Sequence, residues 1–267
     1  MSAARRLRPT AVAGRFYPAE PDRLEAALDS AFAAAVQPEP GAAVPKALVA
    51  PHAGYVYSGP IAASAYLRVA SARATIRRVV LLGPSHRVPF RGVALSSADA
   101  WDSPLGPVAV DQAGAAALHD VPWVVTDDRP HAPEHSLEVH VPFLQRVLDD
   151  FMLLPLVVGD ASEQEVAAVL QAVWGGQETL VVVSTDLSHY QRYEDARRLD
   201  ARTAAAIVAL RPGDVGDRDA CGARPLRGLL RSAADRQMAV DAIDVRSSGD
   251  TAGDRDQVVG YGAFTVA

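Results

Sequence analysis

Short apolar runs alternate with helical patterns from one end of the chain to the other, and this alternation constrains the fold more than any other feature. Four runs carry no polar side chain, as is typical of strands buried on both faces of a sheet: 47–50, 79–82, 151–158 and 180–183. Helical patterns precede, separate or follow them, at 21–36, 60–70, 163–174 and 193–210. This order predicts an α/β fold in which a central, mostly parallel or mixed sheet is flanked by helices. We expect one domain over residues 1–267, because the segment before the first strand is too small for a core of its own.

The sequence also predicts elements at the edges of this sheet and after it. Ser58 is a candidate N-cap for the helix at 60–70, and Pro60 would lie in the first turn of that helix. A hairpin is expected between 92–97 and 108–111. The other predicted elements are strands at 123–125, 240–246 and 258–266 and helices at 135–150 and 221–236.

Charge and cysteine content exclude several classes of protein. The 267 residues carry a net charge of −6, which argues against binding to nucleic acid or to an anionic membrane. Cys221 is the only cysteine, so no disulfide can form within the chain, and this favours a reducing compartment. The longest apolar run is too short to span a bilayer, and the start of the chain lacks the apolar stretch of a leader peptide. We therefore expect a cytoplasmic protein.

Three histidines follow predicted strands at equivalent places. His52 lies in a Pro-His-Ala-Gly-Tyr motif, His86 in a Gly-Pro-Ser-His motif, and His189 in a Ser-Thr-Asp-Leu-Ser-His motif. A single histidine after a strand is often a hydrogen-bonded structural residue. Ligands, however, bind beyond the carboxyl ends of parallel strands. Three histidines in equivalent positions therefore favour a common site.

A fourth group of histidines lies within 131–140, which reads His-Ala-Pro-Glu-His-Ser-Leu-Glu-Val-His. On a helix, the spacings between His131 and His135 and between His135 and Glu138 would place these side chains on one face. A charged helix start explains Glu134 and Glu138 through the helix dipole, but it does not explain the histidines. The His-Glu-x-x-His order of zinc proteases is absent, which argues against a metalloprotease.

Cys221 and Asp186 each allow two interpretations. Cys221 lies at the predicted start of a helix, where backbone N–H groups and the helix dipole lower a thiol pKa and favour the thiolate that binds metal or attacks a substrate. A free cysteine is also commonly buried and inert. Asp186, three residues before His189, would orient that imidazole or accept a hydrogen bond in a turn. The residues alone leave these alternatives open.

In their order along the chain, these motifs resemble the Memo family, whose microbial branch is labelled AmmeMemoRadiSam system protein B. The similarity runs nearly from end to end. Besides the three strand-end motifs, it rests on the segments 13–18, 57–59, 134–142, 221–222, 247–250 and 259–261.

The resemblance implies a fold like that of the class III extradiol (LigB-type) dioxygenases, whose non-haem iron is held by two histidines and a glutamate. Carried over by motif, His52 and His86 would be the histidine ligands, and Cys221 would stand in place of the carboxylate. His189 would act as the acid/base group, oriented by Asp186. The resemblance further suggests residues that line the pocket or support the ligands from behind: Tyr55, Ser85, Glu134, His135, Glu138 and His140.

Cofactor and function follow from the same resemblance as expectations. Fe(II) is the expected cofactor, and Cu or Zn also suits a His-His-Cys set because a thiolate is a soft ligand. The expected function is that of a metal-dependent oxidoreductase acting on a small molecule or peptide, together with radical-SAM and AMMECR-type proteins. One alternative is a metal- and peptide- or protein-binding module without turnover, in which Tyr55, Tyr57 and Tyr190 supply a recognition surface. Another is metal-free thiol chemistry at Cys221 with His189 as base.

Overall fold

The structure is a computed structural model that describes residues 6–267; residues 1–5 of the predicted domain lie outside the described part. The strands are β1 (Leu7–Arg8), β2 (Ala47–Ala50), β3 (Arg78–Pro84), β4 (Val93–Leu95), β5 (Ala100–Trp101), β6 (Val108–Ala109), β7 (Val124–Thr126), β8 (Met152–Val158), β9 (Thr179–Ser184), β10 (His189–Gln191), β11 (Val240–Ser247) and β12 (Val258–Val266). The α-helices are α1 (Pro21–Ala33), α2 (Tyr55–Tyr66), α3 (Gln112–Ala116), α4 (Val141–Val147), α5 (Glu163–Val173), α6 (Tyr193–Val208) and α7 (Ala223–Asp235).

A nine-stranded mixed sheet forms the centre of the fold. Its order is β10-β12-β2-β9-β3-β8-β4-β7, and β11 pairs with β12. The strands β2, β9, β3 and β8 run parallel, whereas β12 and β4 join them antiparallel. Helices α1, α2 and α4 contribute to the apolar core on one face of the sheet, and α5, α6 and α7 to the core on the other. The predicted α/β fold, a mixed sheet flanked by helices, is confirmed.

The middle of this sheet is closed to solvent on both faces, which explains why its strands contain so few polar residues. In β3, Val79 and Leu81 face one core while Val80 and Leu82 face the other, and all four are fully buried. Burying a side chain of this size contributes about 1.5–3 kcal/mol. No helix within residues 6–267 is long and apolar enough to cross a membrane.

The helix that follows β2 begins earlier than its sequence suggested. α2 starts at Tyr55, and its N-cap is Gly54 rather than Ser58. The Ser58 hydroxyl donates to the Ala53 carbonyl (2.9 Å) instead of capping a helix end. Burial of the Tyr55 ring favours the early start. Pro60 therefore lies inside the helix and not in its first turn.

The predicted hairpin between 92–97 and 108–111 is wrong in its first strand. β4 is buried in the central sheet, where it pairs with β8 and β7. The hairpin joins β5 to β6 instead, and β1 pairs with β5 to give a separate three-stranded sheet. The sequence pattern could not show whether β4 or β5 forms the first strand of the hairpin, because both are short apolar strands that are fully buried.

Glu138 ties the beginning of the described chain to its middle. Its carboxylate accepts hydrogen bonds from the Arg8 guanidinium (2.5 Å), the Tyr17 hydroxyl (2.8 Å) and the backbone N–H groups of Ala11 and Val12 (2.7 and 2.9 Å). The Arg8 and Glu138 side chains are only 5% and 1% exposed. Several donors satisfy the buried carboxylate, and removal of either partner would leave the other charge buried and unpaired.

Glu138→Ala is expected to lower the free energy of unfolding by about 3–5 kcal/mol, because it leaves the Arg8 charge buried without its partner. Urea unfolding at neutral pH measures the change. Asp149→Ala is the control: it removes an ion pair with Arg73 in which the side chains are 45% and 58% exposed, and it should cost less than about 1 kcal/mol. An equally small loss for Glu138→Ala would contradict the structural role of this carboxylate.

Candidate metal centre

The order of the strands brings together the three chain segments that follow the carboxyl ends of β2, β9 and β3. β9 lies hydrogen-bonded between β2 and β3, and all three run parallel, so their carboxyl ends meet. His52 lies two residues beyond the end of β2, His86 two beyond β3, and Asp186 two beyond β9. These strand ends therefore gather side chains that are far apart in the sequence, as expected for a ligand site in a parallel sheet.

His52, His86 and His135 form a histidine cluster in which one ring nitrogen of each residue lies within 4.8 Å of the others. The His86 ring stacks on the His135 ring with centroids 4.7 Å apart, and the His52 ring meets both edge-on, at 5.1 and 5.3 Å. His52 is 1% exposed, whereas the His86 and His135 side chains are 28% and 14% exposed. Ligand atoms on one ion lie about 3 to 4 Å apart when each metal bond is about 2.1 Å long. After a small inward movement of the rings, the cluster could hold a metal ion.

Glu134 holds two of these rings from behind. One carboxylate oxygen accepts from His86 Nδ1 (2.8 Å) and lies 3.2 Å from His135 Nδ1, and the other accepts from the backbone N–H of His86 (2.6 Å). The backbone N–H groups of His135 and Ser136 also donate to the first of these oxygens (3.1 and 3.0 Å). Burial acts to raise the pKa of Glu134, but the hydrogen bonds from His135 and His86 outweigh it and hold this pKa well below its usual range. The ionised carboxylate therefore keeps a proton on His86 Nδ1, and Nε2 is the nitrogen of that ring that Glu134 does not engage.

The Cys221 thiol lies beside His52. Its Sγ is 3.2 Å from His52 Nε2, and the Asp186 N–H donates to it (3.3 Å). Burial and then the charge of Asp186 raise the pKa of the Cys221 thiol to about 12. Of the two interpretations of Cys221, the raised pKa favours the buried thiol over the activated one, because α7 begins only at Ala223 and loss of hydration outweighs the helix dipole. A bound cation would act in the opposite direction and favour the thiolate.

Gly222 lets the Cys221 loop lie against the end of β9. A Cβ at Gly222 would come within 2.4 Å of the Ser184 carbonyl oxygen and 2.7 Å of the Thr185 Cβ. The Gly222 N–H donates to the Thr185 hydroxyl (2.8 Å), and the Cys221 N–H donates to the Asp186 carbonyl (3.2 Å). Backbone contacts that no larger residue would permit therefore place the thiol.

Asp186 follows β9, the middle one of the three strands, and its carboxylate supports the loop that carries His52. Its Oδ1 accepts a hydrogen bond from the backbone N–H of His52 (2.8 Å). Burial raises the pKa of Asp186, although this hydrogen bond and the field of His189 act against it. Burial, followed by the fields of the neighbouring histidines, holds the pKa of His52 well below its usual range, so that ring is neutral. Asp186 fixes the loop that carries His52, and its predicted orientation of His189 stays a prediction.

His189 lies at the start of β10, an edge strand of the central sheet, three residues after Asp186. The pairing of β10 with β12 shifts register between His189 and Gln191. Tyr190, the residue in this bulge, has a φ of 57°, a left-handed conformation that non-glycine residues rarely adopt. Bulges of this kind redirect side chains and are frequent beside functional sites. His189 is half-buried, whereas the Tyr190 side chain is open to solvent.

Three of the residues expected around the pocket are engaged elsewhere. The buried Tyr55 hydroxyl donates to the Val139 carbonyl (2.7 Å), and its ring packs in the apolar core. The Ser85 hydroxyl donates to the Val88 carbonyl (2.6 Å) and so shapes the loop that carries His86. Both carboxylate oxygens of Glu138 are used by the N-terminal segment.

The histidines of 131–140 do not share a helical face. Residues 131–137 form turns and irregular backbone, and helical structure begins only at the 3₁₀ turn Glu138–His140. His131 is buried away from the histidine cluster, where its Nε2 donates to the Ala94 carbonyl (3.0 Å) and its ring lies against Trp101. His140 is buried behind His52, and burial, followed by the field of His135, lowers the pKa of His140 to about 3.

Ser184 is a site residue to which the sequence analysis gave no role. This last residue of β9 is fully buried. Its hydroxyl oxygen lies 2.6 Å from His52 Nδ1 and 2.8 Å from His140 Nε2. The one signal in the sequence was a polar residue at the end of an otherwise apolar strand, directly before Thr185 and Asp186.

Comparison with known proteins places this architecture among relatives. The chain matches the family model of Memo-like proteins over residues 8–265. It is 35% identical to a MEMO1 family protein of Methanopyrus kandleri, covering 96% of this chain and 98% of that protein. It is 36% identical to a MEMO1 family protein of Aquifex aeolicus, covering 96% and 97%. Among solved structures, an uncharacterized protein of Escherichia coli K12 is 15% identical with a TM-score of 0.49, covering 80% of this chain and 98% of that chain.

The free energy of unfolding is expected to fall as the pH drops from about 6.5 to about 4, because burial lowers the pKa of His131 to about 4. The unfolded chain binds a proton near pH 6.5, whereas the folded chain binds it at His131 only near pH 4. Across this window the unfolded state therefore gains protons first and the folded state loses relative stability. A shift of this size corresponds to roughly 3 kcal/mol.

Urea unfolding at about pH 7 and about pH 4.5 tests this expectation. His131→Asn should lose less stability between the two conditions than the unmodified chain. His119→Asn changes an exposed histidine and serves as the control, which should follow the unmodified chain. The same pH dependence in all three proteins would contradict the role given to His131.

Proposed function

The chain belongs to the Memo family, and we propose that it is a metal-binding protein whose ion is held by His52, His86 and Cys221. The observation that carries this proposal is the histidine cluster, in which ring nitrogens of His52, His86 and His135 lie within 4.8 Å of one another. Cys221 is outside this cluster and adjoins it through His52, whose Nε2 lies 3.2 Å from Cys221 Sγ. Neutral imidazoles with a free nitrogen are the commonest metal ligands in proteins.

The proposed ligands are already oriented by their neighbours. Glu134 accepts from His86 Nδ1, an arrangement typical of metal-binding histidines, and so directs His86 Nε2 towards an ion. Cys221 Sγ and His52 Nε2 are 3.2 Å apart, which suits two ligands of one ion. The thiol proton would leave as the ion bound. His135 supplies a fourth donor within reach of the other two histidines.

We propose Fe(II) as the ion, on the resemblance to non-haem iron dioxygenases. Cu and Zn are the competing ions, because a thiolate together with imidazoles binds both. Once bound, such an ion would supply a redox centre or a Lewis acid with positions open to a substrate.

The proposed activity is that of a metal-dependent oxidoreductase of the dioxygenase type, acting on a small molecule or peptide and working with radical-SAM and AMMECR-type proteins. His189 would move a proton to or from the substrate, since it is half-buried and follows Asp186 by three residues. The field of His189 acts to lower the pKa of Asp186, so the two side chains interact.

A second function, recognition without turnover, is favoured by exposed aromatic side chains near the site. Tyr57 follows His52 by five residues, and Tyr190 follows His189 directly. Their exposures are 41% and 71%. Aromatic side chains that surround a pocket with a few polar groups are typical of ligand-binding surfaces. In this alternative the metal would serve structure or recognition of a peptide or protein.

One metal ion per chain is expected, and His52→Ala and His86→Ala should each abolish its binding, because each variant removes a proposed ligand. Cys221→Ser is expected to weaken binding more than His135→Ala does. Elemental analysis after anaerobic, reducing purification, with titrations of Fe(II) and Zn(II), measures these effects. His119→Ala, a change at an exposed histidine, is the control. Undiminished binding in His52→Ala and His86→Ala would refute the site.

Oxygen consumption by the iron-loaded protein is expected in the presence of a catechol or a related phenol. His189→Asn should slow it by a factor of about 10²–10⁴ while iron content stays unchanged, because the imidazole moves a proton and is not a ligand. Gln191→Ala, at an exposed residue of the same strand, is the control. Iron-loaded protein that consumes no oxygen across such a screen would refute the oxidoreductase and favour the recognition module.

A further inference from the structure

We propose that Ser184 is a positioning residue that keeps the proton of the neutral His52 ring on Nδ1, so that Nε2 presents a lone pair to Cys221 and to a metal ion. The assignment of protons depends only on hydrogen-bond geometry. Its consequence for metal binding depends on the proposed function above.

Three groups surround the Ser184 hydroxyl. Its oxygen lies 2.5 Å from the Ser136 carbonyl oxygen, 2.6 Å from His52 Nδ1 and 2.8 Å from His140 Nε2. Ser184, Ser136 and His140 are fully buried, and His52 is 1% exposed. Bulk water therefore cannot reach these groups to replace any of their hydrogen bonds.

Counting protons leaves one arrangement. A serine hydroxyl has one hydrogen and two lone pairs, and a carbonyl oxygen can only accept. The Ser184 hydrogen must therefore point to the Ser136 carbonyl. Both lone pairs then remain for the two imidazoles, so His52 Nδ1 and His140 Nε2 must each donate.

The outer end of the network agrees with this arrangement. With its hydrogen on Nε2, a neutral His140 has a lone pair on Nδ1. The Tyr66 hydroxyl lies 2.8 Å from that nitrogen and can donate to it. Every polar group from Tyr66 to Ser136 then has a partner of the right kind, as buried polar networks require.

The inner end of the network is where the arrangement matters chemically. A neutral imidazole carries one hydrogen, and Ser184 holds it on Nδ1. His52 Nε2 therefore keeps its lone pair, 3.2 Å from Cys221 Sγ. In the metal-free protein the thiol hydrogen can bond to that lone pair; when a metal ion binds, the ion takes the place of that hydrogen. A His52 ring with its hydrogen on Nε2 could not coordinate an ion through that nitrogen.

Close packing keeps Ser184 in place. It pairs with Ala50 in the parallel ladder between β2 and β9. A Cβ at Gly83 would lie 3.2 Å from the Ser184 Cβ, and a Cβ at Gly222 would lie 2.4 Å from the Ser184 carbonyl oxygen. Ser184 is therefore packed between the segments that contain Gly83 and Gly222, which come this close because glycine has no side chain.

The test is the ¹⁵N NMR spectrum of the histidine rings in the metal-free protein, combined with titration of Zn²⁺ alone. In the unmodified chain, His52 is expected to show a protonated Nδ1 and an unprotonated Nε2. Ser184→Ala should populate both tautomers of His52 and lower the Zn²⁺ affinity about 10- to 100-fold, as loss of a group that orients a ligand does. Ser184→Thr keeps the hydroxyl and should restore both properties. Tyr66→Phe removes only the outer hydrogen bond and should leave the His52 tautomer unchanged.

Two results would overturn the proposal: a proton on His52 Nε2 in the unmodified chain, or an unchanged tautomer and Zn²⁺ affinity in Ser184→Ala. If Ser184→Ala does not fold, the spectra of the unmodified chain and of Ser184→Thr still decide, because a proton on Nε2 in either refutes the assignment. The expected tautomer in a chain that binds neither Zn²⁺ nor Fe(II) would support the proton assignment and refute the proposed function. Metal binding by a chain whose His52 carries its proton on Nε2 would support the proposed function and refute the proton assignment.

Discussion

The parallel pairing of β9 with β2 and β3 is the interaction on which the rest of the structure depends. Successive side chains of a strand point to opposite faces, so a slip of one residue would exchange the two cores on either side of the sheet. With the observed register, the three strands end side by side, and a site residue stands two positions beyond each end. Burial on both faces fixes the register, and the register places the site.

Burial also determines the charge of the centre. His52 and His140 have pKa values held low enough to keep them neutral, and the Cys221 thiol has its pKa raised to about 12. Glu134 differs, because histidine rings and backbone N–H groups donate to its carboxylate and hold its pKa well below the usual range. The centre therefore combines two buried neutral imidazoles and a neutral thiol with the carboxylate charge of Glu134. Such a centre gains a cation by releasing a proton, and the cation is not repelled by charged ligands.

Much of this arrangement could be predicted from the sequence, for identifiable physical reasons. Apolar runs revealed the inner strands, and turn motifs after those strands revealed His52 and His86. The sequence could not reveal that 131–137 forms turns and irregular backbone, because its histidine spacing fits a helix equally well. It could not predict the ion pair between Glu138 and Arg8, since that pair joins distant segments of the chain. It left the state of the Cys221 thiol open, because desolvation depends on the complete fold. Ser184 escaped notice because its role comes from three partners that only tertiary structure brings together.

The contact between Cys221 and His52 joins residues 169 positions apart. Bringing such distant residues together costs chain entropy that only the surrounding tertiary contacts can offset, so the contact belongs to the late part of folding. During synthesis the histidines of the cluster leave the ribosome long before the thiol does. A chain that stops before Cys221 thus has the imidazoles without the sulfur. The complete set of donors exists only once nearly the whole sequence has been made and folded, so occupancy of the centre would report that folding has finished.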